Sequence, residues 1–216
     1  MMKIQRVLKD YLKNCAPEVQ AHCFRVGILT ETLILEMGRG DELAKGELED
    51  GAVPLSYHDI GKAFVPKSIL EKPGALTVGE RVIMMRHASF GAGIFEALSD
   101  DGRSSPEEKA FCKMGYELCM YHHEWYNGKG YPGQLQGRDI PFIARTCAVA
   151  DAWDAMTVPR CYQEAMTAEA ALAEIRQYAS IQFDPEIAEA FCSLAPYVIH
   201  RKKPVEYREQ LLAAPN

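Results

Sequence analysis

The run of residues from Glu18 to Met37 constrains the fold most. It is rich in valine, isoleucine and leucine, and it contains one helix-weakening residue, Gly27. Pro17 stands just ahead of it, where the first turn of a helix tolerates proline, and a Gly-Arg-Gly segment at 38–40 follows it. The pattern predicts one long helix that begins near Pro17 and ends near Met37.

Helix-start signals recur along the rest of the chain. Thr77 and Ser105 are each followed three residues later by glutamate, which is the capping-box pattern. Asp184 precedes a proline, as an N-cap residue does when proline takes the first helical position. We also expect Asp41 to open a helix towards His58. Strand-like alternation is rare, and no Asn-Gly hairpin joins two strand-like runs. These patterns predict an all-α fold in a single domain.

One long stretch lacks helix signals. Residues 125–141, WYNGKGYPGQLQGRDIP, contain four glycines and two prolines. A loop of this length inside a compact domain is usually functional or disordered, so we expect it to border a site. The predicted organisation is an N-terminal helical extension over residues 1–16, a main domain over 17–195 and a C-terminal helix or tail over 196–216.

The composition sets limits on partners and compartment. Of the 216 residues, 48% are hydrophobic and 25% are charged, and the formal net charge is −6 with dispersed basic residues. This balance argues against a nucleic-acid polymer as partner, since that requires a basic face; bound cations would still permit a small phosphate substrate. No apolar run reaches the ~20 residues needed to span a bilayer. The seven cysteines form no CxxC pair, and we expect them to be reduced and buried in a cytoplasmic protein.

Histidines and carboxylates occur in pairs whose spacing suits metal binding. The pairs are His58-Asp59, His122-His123, Glu18 with His22, and Asp151 with Asp154. Residues three or four apart share one face of a helix, whereas adjacent residues diverge by about 100°. Adjacent pairs therefore suit two neighbouring ions, and a carboxylate such as Asp59 can bridge them. Any one pair alone is more often a polar helix end. Together they predict a site with more than one metal.

The ligand types indicate the kind of ion. Imidazole and carboxylate ligands without a thiolate suit Fe, Mn, Zn, Co or Ni more than Mg or Ca. Asp154 has two alternative roles in this pattern. It either fixes the tautomer of a histidine ligand or makes a hydrogen bond between helices.

Several motifs resemble the HD-GYP family, a branch of the HD metal-dependent phosphohydrolases. They are HDIGK (58–62), RHASFG around His87, HHEWYNGKGYP (122–132), DAWDAM (151–156) and HCFRV, which begins at His22. The resemblance runs from about Glu18 to the FDP at 183–185. It identifies residues 17–195 as an HD-GYP-like catalytic domain and implies an all-helical bundle with a di- or trinuclear metal centre, in which iron or manganese is expected.

The resemblance also implies an activity and a set of ligands. The activity is hydrolysis of cyclic di-GMP to the linear dinucleotide pGpG, to GMP, or to both. The implied metal ligands are His22, His58, Asp59, His87, His122, His123 and Asp151. Members with three ions carry a glutamate four residues before the first histidine, and Glu18 has that spacing.

Further residues of the motifs have implied roles towards the substrate. Lys62 matches the lysine that contacts a substrate phosphate, and Asp59 would accept hydrogen from the nucleophile. Arg160 and Tyr162 match positions that line the nucleotide pocket. The lip of the site would include Gly130, Tyr131 and Pro132. The ring of Tyr131 offers a face for a base or, alternatively, is a packing anchor of the loop.

The chain departs from the family pattern at three places, which leaves alternatives open. Gln163 and Glu164 stand where basic residues are common, Ser180-Ile181 replaces the usual Gly-Thr, and Ala63-Phe64-Val65 lacks the glycine that is common in its middle. The alternatives are a phosphohydrolase of another cyclic dinucleotide or nucleotide, a domain that binds a cyclic dinucleotide or a partner without hydrolysis, and an all-α metal-storage or scaffold protein. With few residues before Glu18, we expect regulation by a partner protein in trans, by metal loading or by redox state.

Overall fold

The computed structural model describes residues 2–43, 54–100, 104–159 and 164–200. Within these ranges the regular elements are helices, and the predicted all-α fold is confirmed. The α-helices are α1 (Met2–Lys13), α2 (Pro17–Glu36), α3 (Lys67–Leu70), α4 (Val78–Met85), α5 (His87–Ser99), α6 (Pro106–Tyr121), α7 (Phe142–Thr157), α8 (Ala168–Gln177) and α9 (Pro185–His200). Short 3-10 turns occupy Gly40–Glu42, Pro54–Tyr57, Ile60–Phe64 and Gly137–Asp139.

The predicted helix boundaries agree with the local hydrogen bonds. The α2 helix begins at Pro17, and after its end Gly38 adopts a left-handed φ of 67°. The N–H groups of Gly38 and Arg39 then donate to carbonyls of the last turn, which closes the helix. Thr77 and Ser105 both form complete capping boxes, as predicted. The side chain of Asp184 accepts the backbone N–H of Glu186 at the start of α9.

Two apolar cores flank the middle of the bundle. The first joins α2, α7, α8 and α9 around side chains such as Leu33, Trp153 and Phe191. The second joins α1, α5 and α6 around Leu8 and Phe95, with the 54–57 and 60–64 turns beside it. Helices α2 and α7 thus approach the centre from one core, while α5 and α6 approach it from the other.

Gly27 explains how the 54–57 turn reaches α2. A Cβ at this position would lie 2.8 Å from the backbone nitrogen of Ser56 and 2.9 Å from its Cα. The helix therefore accepts a glycine in its interior so that the turn can lie against its backbone. This contact places the next residues, His58 and Asp59, beside the face of α2 that carries His22.

One helix prediction was wrong. We expected a helix from Asp41 towards His58, but the turn at Gly40–Glu42 is a 3-10 helix that ends at Leu43, whose backbone is extended. Residues 44–53 lie outside the described part of the chain, and Pro54–Tyr57 is again a 3-10 turn. The extended backbone at Leu43 interrupts the i to i−4 hydrogen bonds that a continuous helix needs.

Other sequence expectations concern cysteines, the bilayer and the termini. The described cysteines, which are all but Cys161, are free and buried as predicted. Among the described residues, no helix is both long and apolar enough to cross a bilayer. Helix α9 passes through the predicted domain boundary at 195, and residues 201–216 lie outside the described ranges. The domain division stays a prediction.

Candidate metal centre

Seven predicted ligands converge between the two cores. They form two groups, and within each group the ligand atoms lie within 4.8 Å of one another. The first group is His22, His58 and Asp151; the second is Asp59, His87, His122 and His123. They come from α2, from the link between two 3-10 turns, from the first residue of α5, from the end of α6 and from α7. Five segments distant in sequence therefore supply one site.

Asp59 lies between the two groups. Its Oδ2 is 3.6 Å from His22 Nε2 and 3.5 Å from His58 Nε2. Its Oδ1 is 3.2 Å from His87 Nε2 and 3.8 Å from His122 Nε2. Each oxygen of one carboxylate thus faces a different set of imidazoles, which is the arrangement of a bridging ligand between two cations.

The Nε2 atoms of several histidines face one another. His22 Nε2 lies 3.3 Å from His58 Nε2 and 3.1 Å from Asp151 Oδ1. His87 Nε2 lies 3.1 Å from His123 Nε2 and 3.5 Å from His122 Nε2. Such close nitrogen–nitrogen contacts are favourable only if a proton or a metal ion lies between the two lone pairs.

The hydrogen bonds of the Nδ1 atoms show that, in two of these rings, the lone pair is on Nε2. Nδ1 of His87 donates to the carbonyl of Met84 at 2.7 Å, and Nδ1 of His122 donates to the carbonyl of Leu118 at 2.9 Å. A carbonyl oxygen only accepts, so the proton of each neutral ring is on Nδ1 and the Nε2 lone pair points into the site. A divalent cation between these nitrogens would turn their repulsion into coordination.

The buried carboxylate oxygen supports the same conclusion. Asp59 Oδ1 is buried and has no hydrogen-bond donor among the described residues. A buried charged oxygen without a partner is costly, and metal coordination is one of the ways to satisfy it. The donor set of imidazole and carboxylate therefore fits divalent transition-metal ions.

The protonation states suit metal ligands. Burial lowers the pKa of His58 to about 3 and that of His87 to about 4, so both rings are neutral. Burial likewise holds the pKa of His123 well below its usual value. Burial raises the pKa of Asp59, but the Lys62 ammonium and the neighbouring histidines outweigh it, so the carboxyl is ionised with its pKa well below normal.

His22 behaves differently from the other histidines. Burial lowers its pKa, but hydrogen bonds to the carboxylates of Asp151 and Asp154 outweigh this and raise it to about 9. At neutral pH the metal-free ring is therefore protonated on both nitrogens. Metal binding at Nε2 must displace one proton, which couples metal affinity to pH.

Asp154 and Arg25 form a support behind His22. Asp154 Oδ2 accepts from His22 Nδ1 at 2.7 Å, and the carboxylate accepts from Arg25 Nε at 2.6 Å and from Nη2 at 2.8 Å. Asp154 therefore accepts a hydrogen bond from a histidine, as a residue that fixes a histidine tautomer must. The same bond joins α7 to α2, as the alternative role of a hydrogen bond between helices requires. Sequence reasoning gave Arg25 no role, although its spacing of three from His22 places both on one helix face.

Lys62 lies on the bridging carboxylate. Its ammonium pairs with Asp59 Oδ2, and its side chain is 22% exposed. Burial alone would lower the pKa of Lys62, but the carboxylate of Asp59 raises it by more. The net pKa is therefore raised, and the ammonium keeps its charge. A charged donor thus stands at the open side of the site, within the reach that the i, i+3 spacing predicts.

The long loop borders the second ligand group. Tyr131 stacks on the ring of His123 with centroids 4.8 Å apart and an angle of 26°. The predicted role of Tyr131 as a packing anchor therefore holds for the face that covers His123. The loop is also fastened at Tyr126 and Asn127, whose N–H groups donate to the carbonyls of Gln182 and Ile181.

Other predicted residues lie apart from the two groups or outside the described chain. Glu18 is exposed in the first turn of α2, one turn before His22, and belongs to neither group. Its role as a ligand of a third ion stays a prediction. Arg160 and Tyr162 lie outside the described residues, as does Gln163, whereas Glu164 is described and exposed.

Cys23 is a neighbour of the centre that the sequence did not indicate. Its sulfur lies within 4.8 Å of ligand atoms of His58 and Asp59. Burial, followed by the nearby Asp59, raises the pKa of this thiol well above its usual value. The Cys23 thiol is therefore protonated at neutral pH in the metal-free protein.

Comparison with known proteins assigns the chain to a family. The family model described as the HD domain matches residues 5–187 of the sequence. The chain belongs to the HD domain family. A cyclic di-GMP phosphodiesterase of Thermotoga maritima is 37% identical over 90% of this chain and 48% of that protein. The cyclic di-GMP phosphodiesterase response regulator RpfG of Xanthomonas campestris is 42% identical over 64% of this chain and 34% of that protein.

A third relative has a different named substrate. The 3'3'-cGAMP-specific phosphodiesterase 2 of Vibrio cholerae is 31% identical over 88% of this chain and 35% of that protein. The chain thus spans about a third to a half of the length of these curated relatives. The HD-GYP resemblance drawn from the motifs is confirmed. An HD domain implies divalent metal ions, and the two ligand groups offer the matching donors.

Proposed function

We propose that the chain hydrolyses a cyclic dinucleotide, with cyclic di-GMP as its substrate and pGpG, GMP or both as products. The observation that carries this proposal is the position of Asp59, whose two oxygens face two separate groups of imidazoles while Lys62 pairs with it. The relatives named for cyclic di-GMP and 3'3'-cGAMP support a cyclic dinucleotide.

The cofactors in this proposal are two or three divalent ions, iron or manganese. Their ligands would be His22, His58, Asp59, His87, His122, His123 and Asp151, with Glu18 added for a third ion. When bound, such ions lower the pKa of a shared water and neutralise charge on the phosphate oxygens.

The residues of the chain supply the remaining steps. Asp59 would accept the hydrogen of the attacking water, since its two oxygens face both ligand groups. The P–O bond to the leaving ribose oxygen would break as the new one forms, and that oxygen would take a proton from solvent. Lys62 would shift from Asp59 to a non-bridging phosphoryl oxygen, where its ammonium stabilises the charge that develops in the transition state. Asp154 and Arg25 would hold His22 so that Nε2 faces the site.

The substrate would lie at the open side of the centre. In this proposal Gly130, Tyr131 and Pro132 form the lip, and Arg160 and Tyr162 contact the nucleotide. The ring face of Tyr131 that does not stack on His123 is the one available to a base. A cytoplasmic location and a regulatory partner in trans stay predictions.

A substrate panel tests the proposal directly. The purified chain would be incubated anaerobically with iron or manganese and with cyclic di-GMP, 3'3'-cGAMP or linear pGpG, and the products resolved by chromatography. We expect turnover of cyclic di-GMP. Preferred turnover of 3'3'-cGAMP would correct the substrate, and binding of either nucleotide without turnover would favour the non-hydrolysing alternative.

Two variants locate the activity. Asp59→Ala should abolish phosphodiesterase activity, because it removes the carboxylate shared by both groups. Asp100→Ala, which changes an exposed aspartate at the end of α5, is the matched control. Elemental analysis of the wild type should give more than one equivalent of transition metal. Unchanged turnover in Asp59→Ala would place the chemistry elsewhere.

A further inference from the structure

Glu124 is a buried acid for which the proposed chemistry has no use. It directly follows the two adjacent histidines and is only 2% exposed. Its Oε2 is buried and has no hydrogen-bond partner among the described residues. Burying a carboxylate costs free energy unless specific donors compensate for it.

The donors that compensate Glu124 come from the long loop. The N–H of Gly133 donates to Glu124 Oε1 at 2.5 Å. Burial raises the pKa of the Glu124 carboxyl, and the backbone N–H groups of Gly133, Leu135 and Gln134 oppose that rise. One side chain therefore holds the loop at Gly133, and the next residue, Gln134, has a left-handed φ of 54°.

The same loop segment also lies directly on the backbone before it. A Cβ on Gly130 would lie 2.2 Å from the nitrogen of Trp125 and 2.4 Å from the Cα of Glu124. The N–H of Tyr131 donates to the carbonyl of His123 at 3.2 Å. Only glycine permits the approach at 130, so the segment from 130 to 135 is fixed to residues 123–125 at Gly130, Tyr131 and Gly133.

This fixed segment orients a presumed metal ligand. Between its two anchors it carries Tyr131, whose ring stacks on His123. His123 in turn places its Nε2 3.1 Å from Nε2 of His87, inside the second ligand group. Any displacement of the segment would remove the surface against which the His123 ring is packed.

We infer that Glu124 is a positioning residue of the metal centre: its carboxylate holds the 130–135 segment so that Tyr131 keeps His123 aimed at the second ligand group. Only the expected effect on turnover rests on the proposed function, because the direct effect of Glu124 is on the affinity for metal. Residues that orient ligands typically change metal affinity by about 10- to 100-fold when they are replaced.

The primary test is a titration of metal-free protein with Mn²⁺, in which electron paramagnetic resonance measures the free ion at each step. Glu124→Gln keeps the shape of the side chain, but its NH₂ group conflicts with both terminal positions. Placed at Oε2 it is buried without a partner, and placed at Oε1 it faces the N–H donor of Gly133. We expect the weakest Mn²⁺ site to lose about 10- to 100-fold in affinity and the remaining site to stay as in the wild type. Unchanged binding at every site would overturn the inference.

A double-variant cycle tests the route through Tyr131. Tyr131→Ala should weaken the same Mn²⁺ site, and Glu124→Gln combined with Tyr131→Ala should weaken it no further, because both act on His123. Additive losses would show that Glu124 acts by another route and would overturn the inference. Glu124→Asp, which keeps the charge on a shorter side chain, should recover part of the affinity.

A packing variant separates positioning from general damage. Ile175→Val removes a methylene from a fully buried residue of α8 in the first core, which contains no residue of the loop 125–141, and should lower the melting temperature without changing Mn²⁺ affinity. If it weakens Mn²⁺ binding as Glu124→Gln does, the effect is loss of stability and the inference fails.

The activity of Glu124→Gln supplies the last readout. Its turnover should fall at limiting Mn²⁺ and recover at saturating Mn²⁺, with kcat then close to that of the wild type. A kcat that stays low at saturating Mn²⁺ would contradict a role through affinity. Wild-type protein that binds Mn²⁺ but hydrolyses no cyclic dinucleotide would refute the proposed function and leave the titration decisive for Glu124.

Discussion

Replacing Asp154 by asparagine should disturb the site through a single hydrogen-bonding conflict. Asp154 accepts from His22 on one side and from two nitrogens of Arg25 on the other. Asparagine has one oxygen and one NH₂ group, so it can satisfy only one neighbour. If the oxygen faces Arg25, the NH₂ meets Nδ1 of His22 and favours the tautomer that carries its proton on Nε2. That proton would occupy the position of the metal.

The pKa of His22 gives the magnitude. A rise from 6.5 to about 9 corresponds to roughly 3 kcal/mol of stabilisation of the metal-free protein at acidic pH, and the carboxylates of Asp151 and Asp154 share it. Because the folded pKa is raised, this stability is fully present below pH 6.5 and is lost as the pH rises through about 9. Asp154→Asn should therefore remove about 1–2 kcal/mol at pH 6 and much less at pH 9.5. The Arg25 pair, with its guanidinium 39% exposed, adds at most about 1 kcal/mol.

The assay is urea unfolding of metal-free wild type and Asp154→Asn at several pH values from 6 to 9.5. The wild type should lose stability across this range relative to the variant, so that the two curves converge at high pH. A separate Mn²⁺ titration should show an affinity about 10- to 100-fold lower in the variant. Asp100→Asn, at an exposed position, is the control. A constant difference in unfolding free energy at all pH values would refute the reasoning.

Three further predictions follow from backbone geometry and from the metal site. Ser180→Gly should raise the free energy of unfolding by about 1 kcal/mol in urea titrations, because Ser180 has a left-handed φ of 65° that costs a residue with a Cβ about that much; an unchanged or lower value would contradict the assignment of strain. Gly61→Ala should destroy the fold around the centre, since its Cβ would lie 2.0 Å from the carbonyl oxygen of His87, whereas Gly93→Ala, with open space around it in α5, should melt no lower than the wild type. Removal of bound metal by a chelator should lower the melting temperature, because ligands that bind only the folded state stabilise it, and re-addition of Mn²⁺ should restore it.

The sequence predicted the parts of the fold that depend on local chemistry. Pro17 and the glycines at 38–40 mark the limits of α2, and the capping boxes at Thr77 and Ser105 mark the starts of α4 and α6. These signals work because the groups that satisfy a helix end are a few residues away in sequence. The helix expected after Asp41 failed because an extended residue, Leu43, interrupts it, and no nearby sequence signal indicates that change.

The candidate site was predicted as a set of residues and not as a geometry. Paired histidines and aspartates indicated more than one ion, and the structure brings the seven together. The bridging position of Asp59 follows from the packing of five segments, which spacing alone does not give. Arg25 and Glu124 were missed because their partners, Asp154 and the backbone of Gly133, are brought to them by the fold.

The way in which each histidine is held implies an order of assembly. His87 and His122 are oriented by carbonyls within four residues of themselves, so their rings are set as soon as α6 and the junction of α4 with α5 have formed. His22 is oriented by Asp154, 132 residues further along the chain, and is set only after α7 has docked on α2. Long-range closures of this kind come late in folding. We therefore expect the two halves of the centre to mature at different times, with the His87 side ready for its ion while the His22 side is still open.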